Sequence, residues 1–412
     1  MLYYLYEMNH AAIAPWHAMA GAGANFWKSP ANPMAATALG RSMAASLEMF
    51  ERATRRYGKP VFGHTDTVIG DELVDIIERP VWQTPFCRLI KFERLWPEGH
   101  APAQAHKLLI VAPMSGHYAT LLRGTVEAML PYYDVYITDW ADARAVPVSE
   151  GQFDLDSYID VVIEMLQLLG PDTSVMAVCQ PSVPVLAAVA LMSARQDKAV
   201  PRAMVLMGGP IDTRRSPTQV NTLAMARGID WFNKNTIMTV PPPNAGAGRS
   251  VYPGFLQLSG FMAMNFDRHV DAHREMYRHL VEGDGDSAEK HTEFYDEYLS
   301  VMDLTAEFFL QTVETVFVEH LLPRGRFSHR GQLVEPAAIT NTALMTVEGE
   351  RDDISGIGQT QAAHELCSHL KPSQKLDLLQ PGVGHYGVFN GNRYRTAIAP
   401  AIRAFIDAQR RA

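Results

Sequence analysis

The sequence predicts an α/β protein built on a mostly parallel sheet, and three observations carry that prediction. From about residue 84 onward, apolar runs of four to seven residues alternate with stretches of helical periodicity. The runs are continuously apolar, as strands covered on both faces are, with no regular polar alternation. The rhythm stops over residues 212–330 and then resumes, as expected when a large segment is inserted into one sheet domain.

Taken in order, residues 1–83 read as a helical N-terminal extension packing on the core. The opening "MLYYLYEMNHAAIAPW" has no basic start and carries Glu7 early, so it reads as ordered structure and not as a secretion signal. Leu39, Met43, Leu47 and Phe50 recur at helical spacing. The core is expected over 84–211 and 331–412. Strand candidates are "CRLIKFER" (87–94), "KLLIVAP" (107–113), "DVYITDW" (134–140), "TSVMAVC" (173–179), "RAMVLMGGP" (202–210), "TALMTVEGERDD" (342–353) and "KLDLLQ" (375–380). Helices are expected between them, one across "LDSYIDVVIEMLQLLG" ended by Gly170 and Pro171, one across "TQAAHELCSHL" and one at the C-terminus. Residues 212–330 read as a cap or lid, mostly helical, with an acidic loop at "EGDGDSAEK" and a long helix through "DLTAEFFLQTVETVFVEHLLPRG".

Composition excludes several classes of function. The chain has 412 residues, 47% of them hydrophobic, and a formal net charge of −9. A net acidic chain lacks the basic face that phosphate backbones require, so no nucleic acid is expected as a partner. No run of about 18 uncharged apolar residues predicts a membrane span. Three cysteines, Cys87, Cys179 and Cys367, make neither a disulfide framework nor a zinc spacing. A reducing cytoplasm is the expected location, no metal is expected, and a homo-oligomer is left open.

Three reactive side chains fall after strand candidates, in the order Cys179, then Asp352 or Asp353, then His385. That is the nucleophile–acid–histidine order of the α/β-hydrolase fold, where catalytic groups sit at the carboxyl ends of the strands. Cys179 stands in the frame Ala177-Val178-Cys179-Gln180-Pro181. The usual nucleophile turn has glycine two before and two after. Here a small alanine and a proline, which suits a first helical turn, take those places. A free cysteine so placed is either a core thiol or a nucleophile; Cys87 and Cys367 read as core thiols. The helix after Cys179 turns its N-terminus toward the sulfur, which favours a thiolate and offers the Gln180 N–H as an oxyanion donor. A second donor is expected from the loop after "KLLIVAP", at Met114 or Ser115, with His117 read as a solvated helix-start residue. In "GERDDIS", Asp352 is preferred over Asp353 for its spacing from Gly349. His385 sits in the glycine-rich "GVGHYGVF".

Two motifs are decoys. "GVGHYG" fits a dinucleotide fingerprint, but only one helix remains before the chain ends, so the required βαβ unit is missing. "HELCSH" spaces His364 and His369 five apart, about 140° around a helix, where zinc helices place them four apart.

The stretches "VMAVCQPSVPVLAAVALM", "TVEGERDDISGIGQT" and "GVGHYGVFNGNRYR", with the opening sixteen residues and "APMSGHYATLLRGTVEAMLPYYDVYITDW", resemble the intracellular polyhydroxyalkanoate (polyhydroxybutyrate) depolymerases. The resemblance implies Cys179 as nucleophile, Asp352 as acid and His385 as base. It implies hydrolysis of native, amorphous short-chain polyester in cytoplasmic granules through a thioester acyl-enzyme. No cofactor is implied, though coenzyme A stands as a candidate acyl acceptor. The related polyester synthases use a G-x-C-x-G frame that this chain lacks. A synthase-like 3-hydroxyacyl transferase and a non-catalytic granule-associated protein are the competing readings. Trp231, Phe255 and Phe261, in or near "GFLQLSGFMAMNF" (254–266), are the candidate polymer contacts, together with Phe232 and Tyr252.

Overall fold

The computed structural model describes residues 1–96, 105–264, 266–282 and 285–411. Its centre is a nine-stranded sheet of β1 (Asp66–Ile69), β2 (Glu72–Gln83), β3 (Cys87–Leu95), β4 (Lys107–Val111), β5 (Asp134–Trp140), β6 (Thr173–Val178), β7 (Ala203–Met207), β8 (Ala343–Gly349) and β9 (Lys375–Gln380). The order across the sheet is β1-β2-β3-β5-β4-β6-β7-β8-β9. The six strands from β5 to β9 run parallel, and β1, β2 and β3 join antiparallel at one edge. This is an α/β-hydrolase architecture with a helical N-terminal segment and a helical insertion. Every residue of β6, β7 and β8 is buried, as unbroken apolar strands require.

Helices cover both faces. On one lie α4 (Leu155–Leu169) and α5 (Ser182–Ala194), with Leu155, Tyr158, Val162, Leu186 and Val189 in one core. Asp154 caps α4 by accepting the Ser157 N–H at 2.7 Å, and Gly170 ends it at φ +83°. On the other face α3 (Arg123–Met129) and the C-terminal α11 (Ala399–Arg411) supply Val126, Met129, Ile402 and Ile406 to a second core. α5 is buried on nearly all sides, which is why its sequence shows no polar stripe.

The N-terminal expectation needs two corrections. Helix ends at residue 54, after α1 (Leu2–Lys28) and α2 (Ala38–Thr54), and residues 66–83 are strands of the main sheet. Only Val74 and Ile76 of β2 are buried, and Glu72, Asp75, Glu78 and Arg79 point outward, so no apolar run marks this strand beside the sheet edge. The α1–α2 hairpin also packs chiefly on the insertion, not on the sheet core. Tyr3 donates its hydroxyl to Asp303, Tyr6 stacks on Phe255 at 4.1 Å, and Arg52 pairs with Asp296.

The insertion between β7 and β8 holds α6 (Gln219–Thr236), α7 (Gly254–Met264), α8 (Phe266–Glu282), α9 (Gly285–Tyr298) and α10 (Ala306–Thr312). Three short strands, Met238–Thr239, Ser250–Tyr252 and Leu304–Thr305, knit it together. Gly285 begins a helix inside the expected acidic loop, whose residues 283 and 284 lie outside the described residues. The long helix from residue 303 is shorter than expected, continuing past α10 as a π-helical stretch to Val318. The helix expected across "TQAAHELCSHL" is one turn, Ala363–Leu366, because buried Glu348 draws the preceding N–H groups of Gly358, Thr360 and Gln361 into a loop. Met302 N–H donates to Gly116 O at 2.7 Å, which seats the insertion over the carboxyl ends of the strands.

Candidate active site

β6 ends at Val178, and Cys179 follows at φ +69°, a conformation that a residue with a β-carbon seldom adopts. The strain is held from both sides. Cys179 N–H donates to Met207 O at 2.7 Å, and Cys179 O accepts the Ser182 N–H at 3.0 Å. The close approach depends on Gly209, where a β-carbon would lie 2.0 Å from Ser182 Oγ. Pro181 sits at φ −57° just ahead of α5, so it continues the turn without a missing hydrogen bond. The sulfur is thus placed at a sharp strand-to-helix turn before the N-terminus of α5, and Cys179 is half-buried while Cys87 and Cys367 are buried.

His385, in the loop after β9, donates from Nδ1 to Asp352 Oδ2 at 2.8 Å. The Asp352 side chain is fully buried, and its other oxygen accepts the N–H groups of Ile354 at 2.9 Å and Ser355 at 2.8 Å. Asp353 is exposed, so the geometry pairs the histidine with Asp352. Gly208, at φ +55°, gives the pair room: a β-carbon there would lie 3.3 Å from His385 Cε1 and 3.4 Å from Asp352 Oδ2. Burial pushes the His385 pKa down. The Asp352 and Cys179 charges, with hydrogen bonds to both, outweigh it and hold the ring well above its ordinary 6.5. His385 therefore interacts with both Asp352 and Cys179, an arrangement that could serve a thiol nucleophile.

The Met114 reading needs a correction. Its N–H is taken by Gln180 Oε1 at 3.2 Å, because the loop after β4 folds directly against the turn after β6. Ser115 lies half-buried in that same loop. His117 is not a solvated residue. It is buried, donates from Nε2 to the Tyr298 carbonyl at 3.0 Å, and its pKa is lowered to about 4 by burial, so it stays neutral.

The expected polymer contacts divide. Phe261 lies 5.7 Å from the His117 ring, beside the loop that borders the site. Phe255 is stacked between the insertion and α1, on Tyr6, and is a packing residue. Trp231 packs on Phe232 and under Arg227 along α6, and Tyr252 and Phe232 pack on Phe309. The sequence reading missed Tyr386, Tyr298 and Phe294, which meet beside His385 with ring centroids 5.7–6.4 Å apart. Tyr386 is adjacent to the histidine and readable on that ground alone. Tyr298 and Phe294 come from α9, and no local pattern connects them to the site.

No curated protein matches the chain. Among solved structures, the chain is similar to a hypothetical protein of Pseudomonas aeruginosa (12% identity, 86% of this chain and 99% of that one, TM-score 0.45). It is also similar to a monoacylglycerol lipase of Paleococcus ferrophilus (10%, 74% and 96%, 0.42) and to a thermophilic esterase of Thermogutta terrifontis (11%, 84% and 97%, 0.39). These likenesses are too distant to bear on the reaction. Residues 208–410 match the family described as "PHB de-polymerase C-terminus", a span that includes Asp352 and His385 and begins after Cys179. Over that span the chain is similar to the PHB depolymerase family.

Proposed function

We propose that the protein hydrolyses the ester bonds of amorphous poly(3-hydroxybutyrate) and related short-chain polyesters, with Cys179 as nucleophile, His385 as general base and acid, and Asp352 as the group that orients His385. The observation that carries this reading is a cysteine held at φ +69° beside a buried His385–Asp352 pair. A structural thiol has no need of that strain. Thiolate attack on the ester carbonyl forms a thioester and releases the chain end as an alcohol, protonated by His385. Water, deprotonated by His385, then attacks the thioester and frees the acid. A thiol acceptor such as coenzyme A would intercept the same thioester.

An insoluble polymer is met at a surface, and α1 offers one. Leu5, Met8, Trp16, Met19 and Phe26 are exposed along a single face of α1. The charged residues of α1, Glu7 and Lys28, are engaged with Arg56 and Glu48. An uncharged face of that length suits a neutral polyester better than an anionic lipid surface, which binds through lysine and arginine.

The test is release of 3-hydroxyacids from amorphous granules by the purified full-length protein, with and without coenzyme A. Cys179→Ala should lower the rate by at least ~10³-fold. A Cys179→Ala protein that still depolymerises granules at the parent rate would falsify the nucleophile assignment.

A further inference from the structure

Gln180 stands between the two loops that border the nucleophile. It follows Cys179 directly, and only 8% of its surface is exposed. Its Oε1 is held by the Met114 N–H from the loop after β4. Its Nε2, on the other arm of the same planar carboxamide, is buried without a hydrogen-bond partner. Buried amide donors are rarely left unpaired, and on the residue that follows Cys179 a ligand oxygen could complete the set. Resting on the ester-hydrolase reading above, we propose that Gln180 Nε2–H is the second oxyanion donor, working with the Gln180 backbone N–H. The Met114 amide, which in a simpler arrangement would itself donate, instead orients the carboxamide.

The electron count is simple. The Cys179 sulfur lone pair forms the new C–S bond, and the carbonyl π pair moves onto oxygen. That oxygen takes hydrogen bonds from the Gln180 backbone N–H and Nε2–H. The pair then returns, the C–O bond to the leaving alkoxide breaks, and the alkoxide takes its proton from His385. The Met114 N–H anchors the carboxamide at Oε1, which fixes the orientation of the donor arm, as oxyanion stabilisation demands. It also explains why a residue as polar as glutamine is buried at the start of an apolar helix.

The test compares two reactions of the same sulfur in full-length protein. Hydrolysis of a soluble ester, 4-nitrophenyl butyrate, builds an oxyanion. Alkylation of Cys179 by iodoacetamide displaces iodide and builds none. Gln180→Met, neutral and of similar shape, and Gln180→Ala should each lower kcat about 10²- to 10³-fold with little change in KM. Alkylation should stay within about threefold, since the sulfur and His385 are untouched. Ester hydrolysis within about threefold of the parent overturns the proposal. So does a parallel loss of both reactions, which means the side chain only shapes the turn. Cys179→Ala keeps the two readings apart: activity surviving that change removes the nucleophile, whereas a dead Cys179→Ala beside an active Gln180→Met removes only the donor.

Discussion

At the scale of single residues, His385 is where opposing forces are largest. Burial alone favours the neutral ring, and Asp352 and Cys179 reverse it. A histidine whose folded pKa is raised lends stability that is complete below its unfolded value of about 6.5 and is lost as pH rises through the folded value. The parent protein should therefore lose stability from about pH 6.5 upward. Asp352→Asn removes the main upward influence, so this decline should flatten. Urea midpoints of both proteins at pH 6 to 9 measure it, and parallel curves would remove Asp352 from the role. Asp352 is readable in part from the sequence. Spacing from Gly349 favoured Asp352 over Asp353, but only the fold separates them, by burying the first against His385 and leaving the second exposed.

At the scale of elements, the β6–α5 turn decides how Cys179 is presented. Its tightness comes from a residue far away in sequence: Gly209, after β7, lies so close that a β-carbon would sit 3.0 Å from Cys179 O. Gly209→Ala should cost about 1–3 kcal/mol by overpacking. It should also slow ester turnover at least ~10-fold by shifting the sulfur. Gly260→Ala, in α7 with nothing within 4 Å of the new carbon, is the control and should be neutral or stabilising by about 0.5–1 kcal/mol. Equal behaviour of the two variants in urea unfolding and turnover would show that the turn tolerates the extra carbon. The strands of the parallel sheet announced themselves because burial on both faces leaves them wholly apolar. β1 and β2 did not, because an edge pair with one face in water carries charges. The helix at "TQAAHELCSHL" has helical composition, yet Glu348 from β8 takes the preceding N–H groups, and that acceptor is legible only in three dimensions.

At the scale of the whole molecule, the chain separates chemistry from surface. Cys179, His385 and Asp352 lie beneath the insertion at the strand ends, and the apolar face of α1 lies on a hairpin docked to that insertion. No described helix is long and apolar enough to cross a membrane. If α1 is the polymer contact, Met8→Glu, Trp16→Glu and Met19→Glu together should abolish co-sedimentation with amorphous granules. Turnover of 4-nitrophenyl butyrate should stay within about threefold, because none of the three touches the site. Undiminished co-sedimentation would move the contact elsewhere. The sequence by itself determined the parallel core, the chain order of Cys179, the Asp352–Asp353 pair and His385 after successive strands, and the place of Cys179 at a strand-to-helix turn. These depend on local periodicity and on chain order, which one strand and its neighbours record. Only the tertiary structure decided which carboxylate meets His385, that Met114 serves Gln180, that α9 brings Phe294 and Tyr298 to the site, and that the N-terminal helices dock on the insertion. Each of those depends on surfaces distant in sequence being buried together, and hydrophobic burial is non-directional, so no single stretch of chain specifies its partner.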